Sequence, residues 1–293
     1  MKYVDRVYKL SVTKGGNHIE FDGTQYNPLR VRFSVTHYDG GILSQAIIDI
    51  FNLSKTSQGI VSEEYADVTL QAGYKNNFGV IFSGQTINHE ERREGTDTFI
   101  RLYADSGIKN IDEKIVDPRT FNKNTKTSEI IEVIVKYLGM PYAIQDLDNL
   151  PLKASGYSIK GTVKQELNRI AKAHGLEWYV ENGKVVVKNI HTSLKGKVIN
   201  VSELENGMIG TPIRSSVGVE FDVHLNPGFR LNQLVNLKAK APVIQFSGAF
   251  SMGQKDLLSR GTHLIKKLTF EGDTHENPWF TRCVGHKPAT KEG

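Results

Sequence analysis

The chain has 293 residues, enough for two or three domains of ordinary size. Hydrophobic residues make up 39% and charged residues 24%, a globular balance that excludes wholesale disorder, and the single cysteine, Cys283, excludes internal disulfides and multi-cysteine metal sites. The net charge of +5 is spread as −2, +4 and +3 over residues 1–105, 106–195 and 196–293, without the dense basic run of an autonomous nucleic-acid binder. "MKYVDRVYKL" lacks the apolar core of a secretory signal, and no stretch approaches the roughly 18 apolar residues of a membrane span. The expectation is a soluble protein made in a reducing cytoplasm.

The first hundred residues read as strands. "VYKLSV" leads through "GG" into "HIEFDG", a hairpin signal. "LRVRFSVTHY" alternates, with Leu29, Val31, Phe33 and Val35 on one face and Arg30, Arg32 and Ser34 on the other. "AIIDIFNL" is apolar and β-branched and runs into "SKTSQGI", where Ser54 is placed to cap one short helix. "ADVTLQAGY", "GVIFSGQTI" and "TDTFIRLYA" follow, the last two separated by "NHEERRE", which reads as a charged hairpin tip. Short strands with Gly/Asn turns and one helix suggest a small antiparallel barrel or sandwich.

The pattern then changes. "TSEIIEVIVKYLGMP" sets Ile130, Ile131, Ile134 and Leu138 at helical spacing and stops at Gly139. "TVKQELNRIAKAHG" does the same with Val163, Leu167, Ile170 and Ala171, ending on Gly175. "LEWYVENGKVVVKN" reads as a hairpin about Asn182-Gly183. "HTSLKGK" is a polar link, after which alternation returns in "IRSSVGVEFDVHL". "NPG", residues 226–228, suits a type II turn, and "QLVNLKA" a strand. "KAPVIQFSGAFSMGQKDLLSRG" has no assignable pattern, and "THLIKKLTF" and "NPWFTRCV" read as two closing strands. The expected fold is mainly β with an inserted α+β domain, divided as 1–105, 106–195 and 196–293.

"LTFEGDTHENPWF", residues 268–280, gathers Glu271, Asp273, His275 and Glu276. A metal cage needs convergent side chains, whereas strand residues alternate faces, and Gly272 and Pro278 exclude a helix. The preferred reading is therefore the polar tip of a loop, ahead of a divalent metal or catalysis. Cys283 lies in alternating strand sequence, as a structural thiol would. His89, Glu90 and Glu91 read as solvated residues. Asp146 and Asp148 lack the Gly-anchored calcium-loop pattern. No phosphate loop or G-x-S-x-G is present in the sequence, so neither an enzyme nor a cofactor or metal site is expected.

The order of the pieces resembles the baseplate hub proteins of contractile-tailed bacteriophages, a tail-tube-like family. "AGYKNNFGVIFSGQTI" followed by "GTDTFIRLYADSG" resembles their first tube domain, and "SGYSIKGTVKQELNRIAKAHGLEWYVENGKVVV" their inserted domain. "ENGMIGTPIRSSVGVEFDVHLNPGFRLNQLVNL" resembles the opening of the second tube domain, and "LTFEGDTHENPWFTRCVG" its closing hairpin. The resemblance implies two tube-type antiparallel β-barrels flanking a smaller α+β domain. It also implies a homotrimer whose six barrels match a hexameric tail tube and hold a trimeric spike, in a virion assembled in the host cytoplasm. The implied partners are the spike, the tube or tube-initiator protein and other baseplate proteins, with genome DNA passing through the lumen without sequence-specific binding. Phe270, Trp279 and Phe280 are the residues expected to matter, as core or interface anchors. Two rival readings are a carbohydrate- or host-surface-binding module using Trp178, Trp279 and tyrosines as stacking platforms, and a tail-associated peptidoglycan hydrolase. The second lacks any paired carboxylates that the sequence places together.

Overall fold

The computed structural model describes residues 5–41, 43–107, 111, 113–147, 150, 156–214, 218–238 and 261–288. Strands β1 (Arg6–Lys14) and β2 (Asn17–Asp22) form a hairpin about Gly15 and Gly16, both at positive φ. In β3 (Val31–Tyr38) every second residue is buried, as its alternation requires. β4 (Gln45–Phe51) leads to helix α1 (Lys55–Val61), where the Ser54 hydroxyl accepts the Ser57 N–H. β5 (Asp67–Tyr74), β6 (Asn77–Glu94) and β7 (Asp97–Asp105) follow.

The "NHEERRE" run is not a tip. β6 continues through it and pairs with β7 from Asn88↔Tyr103 to Glu94↔Asp97. Gly95, at φ 61°, makes the turn beyond the charges. The arm has no face to bury, so its strand residues carry no apolar alternation.

In the middle region β8 (Ile115–Phe121) pairs with β10 (Tyr157–Thr162), and β9 (Tyr142–Gln145) lies parallel to β12 (Lys184–Asn189). Helix α2 (Thr127–Lys136) buries Ile130, Ile131 and Ile134. Helix α3 (Val163–His174) starts with a Thr162/Gln165 capping box and ends at Gly175 in the left-handed region. β11 (Leu176–Glu181) turns into β12 through Asn182 and Gly183, both at positive φ, as a type I′ hairpin demands. Among the described residues no helix is long and apolar enough to cross a membrane.

The last region comprises β13 (Ile199–Val201), β14 (Met208–Arg214), β15 (Val219–His224), β16 (Leu234–Leu237), β17 (Gly261–Asp273) and β18 (Trp279–His286). The unassigned stretch before β17 lies outside the described residues up to position 260. The turn at Asn226-Pro227-Gly228 is not type II, because Gly228 is not at positive φ. The Asn226 carboxamide oxygen accepts the Gly228 N–H at 2.8 Å, so the side chain closes the turn without a left-handed glycine.

One 13-stranded sheet unites the two ends of the chain in the order β14-β15-β18-β17-β3-β4-β7-β6-β5-β1-β2, with β16 and β13 branching from β17. The ends meet where β17 pairs with β3, from Lys267↔Tyr38 to Asp273↔Arg32. Within the sheet one path occurs twice. β3-β4-β7-β6-β5 and β14-β15-β18-β17-β16 use strands in the same chain order, and every neighbouring pair is antiparallel. One bulge recurs at the equivalent place, between Thr86 and Asn88 in β6 and between Ile265 and Lys267 in β17, whereas those at Leu70/Gln71 and at Ile209/Ile213 occur in one half only. Both halves feed one hydrophobic core, while the middle region keeps its own around α2 and α3. Tyr179 and Val186 belong to the sheet's core rather than the middle one, so the β11–β12 hairpin is docked into the sheet.

Candidate functional site

The stretch 268–280 is more strand than loop. β17 runs through Asp273, and only residues 274–278 connect it to β18. Glu271 is half-buried, and its Oε1 accepts the Ser34 hydroxyl at 2.8 Å. Asp273 is buried against Arg30, whose Nη2 donates to Oδ2 at 2.6 Å and whose Nε donates to Oδ1 at 3.1 Å. The Asp273 Oδ1 also accepts the N–H groups of His275 and Glu276, at 3.0 and 3.3 Å. Burial works to raise this carboxyl, but the Arg30 hydrogen bonds and the two N–H groups outweigh it and hold it below the usual carboxylate range. His275 and Glu276 are exposed; the Glu276 carbonyl and the Asn277 side chain accept from Arg6. Asp273 and Glu276 thus share Arg30, while Glu271 turns to Ser34 and His275 to Thr274; the four do not converge on one point, and the stretch is a polar staple onto β1 and β3. Among the described residues no three of His, Cys, Asp and Glu gather as a metal ion needs.

Phe270 and Trp279 lie in the sheet's core, Phe270 edge-on to His37 and Trp279 edge-on to Phe33. Phe280 is half-buried beneath the Arg282 guanidinium. Trp178 is also buried, with its indole N–H donated to Asn168 Oδ1 at 2.8 Å. Neither tryptophan is therefore available as a sugar-stacking platform. Cys283 is buried on β18, and burial pushes its thiol well above the usual range, as befits a structural residue. Asp146 pairs with Lys195 at 3.1 Å, and Asp148 lies outside the described residues.

Two charge clusters escaped the sequence reading. In the first, buried Asp49 takes Arg101 Nε at 2.7 Å and Arg32 Nε at 2.9 Å, and Arg32 continues to Glu94 at 3.1 Å. The hydrogen bonds that Arg101 donates to Asp49 raise its guanidinium further. The second cluster lies where the middle region meets the sheet. Lys188, with a fully buried side chain, donates to Glu177 at 2.6 Å. Lys266 reaches Glu177, Asp39 and Asn232 at 3.1, 2.8 and 2.8 Å. Burial pulls the Lys188 ammonium down, with Glu177 opposing. A cavity of about 460 Å³ opens beside this cluster, lined by Trp178, Glu177, Lys266 and His286 among others.

The same joint is sewn along β11. Gly41 N–H donates to the Trp178 carbonyl and Ser44 Oγ to that of Val180, while the Glu181 carboxylate accepts the Leu231 N–H at 3.1 Å. Burial pushes the Glu181 carboxyl up to about 7 against the pull of Arg230. It pulls the His37 imidazole, which bridges Ser44 and the Ile81 carbonyl, down to about 4. These are the chemistries of docking, where polar groups are spent on holding segments together. Repeated partner residues far apart in the chain were the missing signal, and alternation alone does not carry it.

Solved structures share this architecture across nearly its full extent. A 43 kDa tail protein of prophage MuSo2 from Shewanella oneidensis is 11% identical, with 96% of this chain and 97% of that chain covered and a TM-score of 0.61. A tail protein from Neisseria meningitidis MC58 is 9% identical over 96% of each chain, with a TM-score of 0.61. The Escherichia coli c3393 protein, a component of the type VI secretion system, is 8% identical over 96% of this chain and 77% of that one, at 0.56. These identities establish the fold alone. No curated protein sequence matches the chain. The sequence model of the baseplate hub gp41 family matches residues 40–242, from the β3–β4 connection past β16 and so across most of the fold just described, and the chain belongs to that family of structural phage tail proteins.

Proposed function

We propose that this baseplate hub protein is a trimeric symmetry adaptor, joining a hexameric tail tube to a trimeric spike. The observation that carries the reading is the five-strand path that occurs twice in one chain. Two copies of one unit per chain give six in a trimer, which is the arithmetic needed to match sixfold above and threefold below. The units are taken as tube-type barrels in residues 1–105 and 196–293, with 106–195 as the α+β insertion. A shared core and the β17·β3 ladder support a rigid ring segment rather than two beads on a string. The proposed partners are the homotrimer's other chains, the spike, the tube or tube-initiator protein and neighbouring baseplate proteins. Assembly takes place in the host cytoplasm, and genome DNA passes through the lumen without sequence-specific contacts. Phe270 and Trp279 act through the core in this reading, and Phe280 is the one of the three with surface to offer a neighbour.

Electron microscopy of assembled tails tests the proposal. Three copies of this chain, arranged about the tail axis between tube and spike, are expected. A closed dimer or a twofold tetramer at that level would overturn it.

A further inference from the structure

The repeated path also says where one copy meets the next. β17 uses two parts of one edge: Gly261–Leu264 pair with β16, and beyond the bulge Lys267–Asp273 pair with β3. β6 has the same layout, with Asn77–Gln85 on β5 and a bulge at Thr86/Asn88. Thr86 closes that ladder by exchanging backbone hydrogen bonds with Tyr65 and Ala66. Beyond it, residues 88–94 pair with β7 on one side and have no partner strand on the other among the described residues. Aligning the two bulges sets Asn88–Glu94 of β6 on Lys267–Asp273 of β17.

The strand that corresponds to β3 is likewise open. Following the ladders outward, Ile50↔Val31 corresponds to Val223↔Met208, and Ala46↔Val35 to Val219↔Arg214. β14 therefore stands at the end of its half where β3 stands in the other, and among the described residues it pairs only with β15. It exposes Ile209 at 40% and Ile213 at 38%, with Leu204 at 79% in the loop before it. Such an apolar edge is an association site unless covered. Pro212 lies in the β14 bulge between Ile209 and Ile213, a place where a sheet tolerates proline.

We propose that the 88–94 edge of β6 in one copy pairs antiparallel with β14 of the next copy, in the register by which β17 pairs with β3 inside each chain. Glu271↔Ser34 then becomes Arg92↔Ile213, Phe270↔Val35 becomes Glu91↔Arg214, and Asp273↔Arg32 becomes Glu94↔Ile209. The register lays the Arg92 stem along the exposed Ile213. The occupant is a second copy of this chain because the joint continues a ladder that the chain already forms with itself. The contact is head-to-tail, each copy giving one β6 edge and one β14 edge, and closure at three copies rests on the trimeric reading above.

The test is disulfide trapping in the full chain, with Arg92→Cys/Ile213→Cys and, separately, Glu94→Cys/Ile209→Cys. These positions are all at the surface, and the native Cys283 is buried. Oxidation is carried out on the purified protein and on tails assembled in cells, and read on non-reducing gels. Linked dimers and trimers, in a ladder that stops at three and is absent from each single-cysteine variant, are expected from both pairs. Cross-links that stop at two or run past three would keep the edge pairing and overturn the trimer. A trimer by sedimentation or microscopy with no cross-link from either pair would overturn this joint and leave the trimer standing. Bridging at monomer mass, or no cross-link in either preparation, would also overturn it.

Discussion

Replacing Arg30 by alanine measures what the 271–276 stretch is for. The Asp273 side chain is 2% exposed and that of Arg30 18%, so the pair is largely shielded from water. Removing the guanidinium leaves a buried carboxylate held by the N–H groups of His275 and Glu276 alone. Breaking a buried pair from one side costs about 3–5 kcal/mol, and the surviving bonds to a charged acceptor bring the expectation to about 2–4 kcal/mol. Asp273→Ala removes the buried charge itself and leaves Arg30 with Glu276 at 3.1 Å and the Phe51 ring at 4.7 Å. Its expected cost is smaller, about 1–2 kcal/mol. The double variant should then fall short of the sum by about 1–2 kcal/mol. The sign with pH follows from the direction of the Asp273 shift. A carboxyl held below its unfolded value stabilises fully above that value, and the contribution is lost as pH falls through the folded one. The three variants and the parent are compared by urea unfolding at pH 7. A cost for Arg30→Ala no larger than that for Asp273→Ala, or strict additivity, would refute the staple.

Glu181→Gln should stabilise the chain at pH 8 by about 1–3 kcal/mol, because the folded carboxyl is pushed up to about 7 and its ionisation opposes folding. The gain should grow as pH rises from the unfolded value to about 7 and vanish in acid; a gain independent of pH would refute the burial argument. Phe270→Ala and Trp279→Ala should each cost about 3–5 kcal/mol in urea unfolding, and Phe280→Ala about 1 kcal/mol, the ranking being the decisive result. A chelator should leave the unfolding midpoint unchanged, and Asp273→Ala with His275→Ala should leave metal content at background. Stoichiometric zinc or manganese in the parent, lost in that double variant, would restore the metal reading.

Local order was legible where one face of an element is buried. The alternation in β3 and β15, the apolar spacing of α2 and α3 and the Asn182-Gly183 turn all carry their own signals, because each is decided by neighbours in sequence. The charged half of β6 was not legible, since a strand exposed on both faces has the composition of a loop. The acidic stretch misled for a related reason. Its groups are close in sequence, but the partner that decides Asp273 is Arg30, 243 positions away. The doubled strand path is written in pairing order, and two halves without evident sequence identity reveal it only once the ladders are known.

The buried charges answer a question that alternation leaves open. A slip of β17 by one residue along β3 would turn every side chain to the wrong face, and hydrophobicity forbids it. A slip by two keeps all the faces correct, so apolar burial alone hardly resists it. In the observed register Asp273 lies opposite Arg32 and its carboxylate is taken by Arg30, while Arg32 is committed to Asp49 on the next strand. Moving β17 by two residues so that Asp273 faces Ser34 carries it away from Arg30 and leaves a buried carboxylate short of its cation, at about 3–5 kcal/mol. Few terms in a marginally stable chain are that large. The ion pairs therefore fix where the two ends of the chain join, while the apolar faces supply the energy of joining. The same division explains the β6 arm. Apart from Glu94, which Arg32 holds at 3.1 Å, its charges are exposed in the single chain, and in the edge pairing proposed above a neighbouring copy would set the register there.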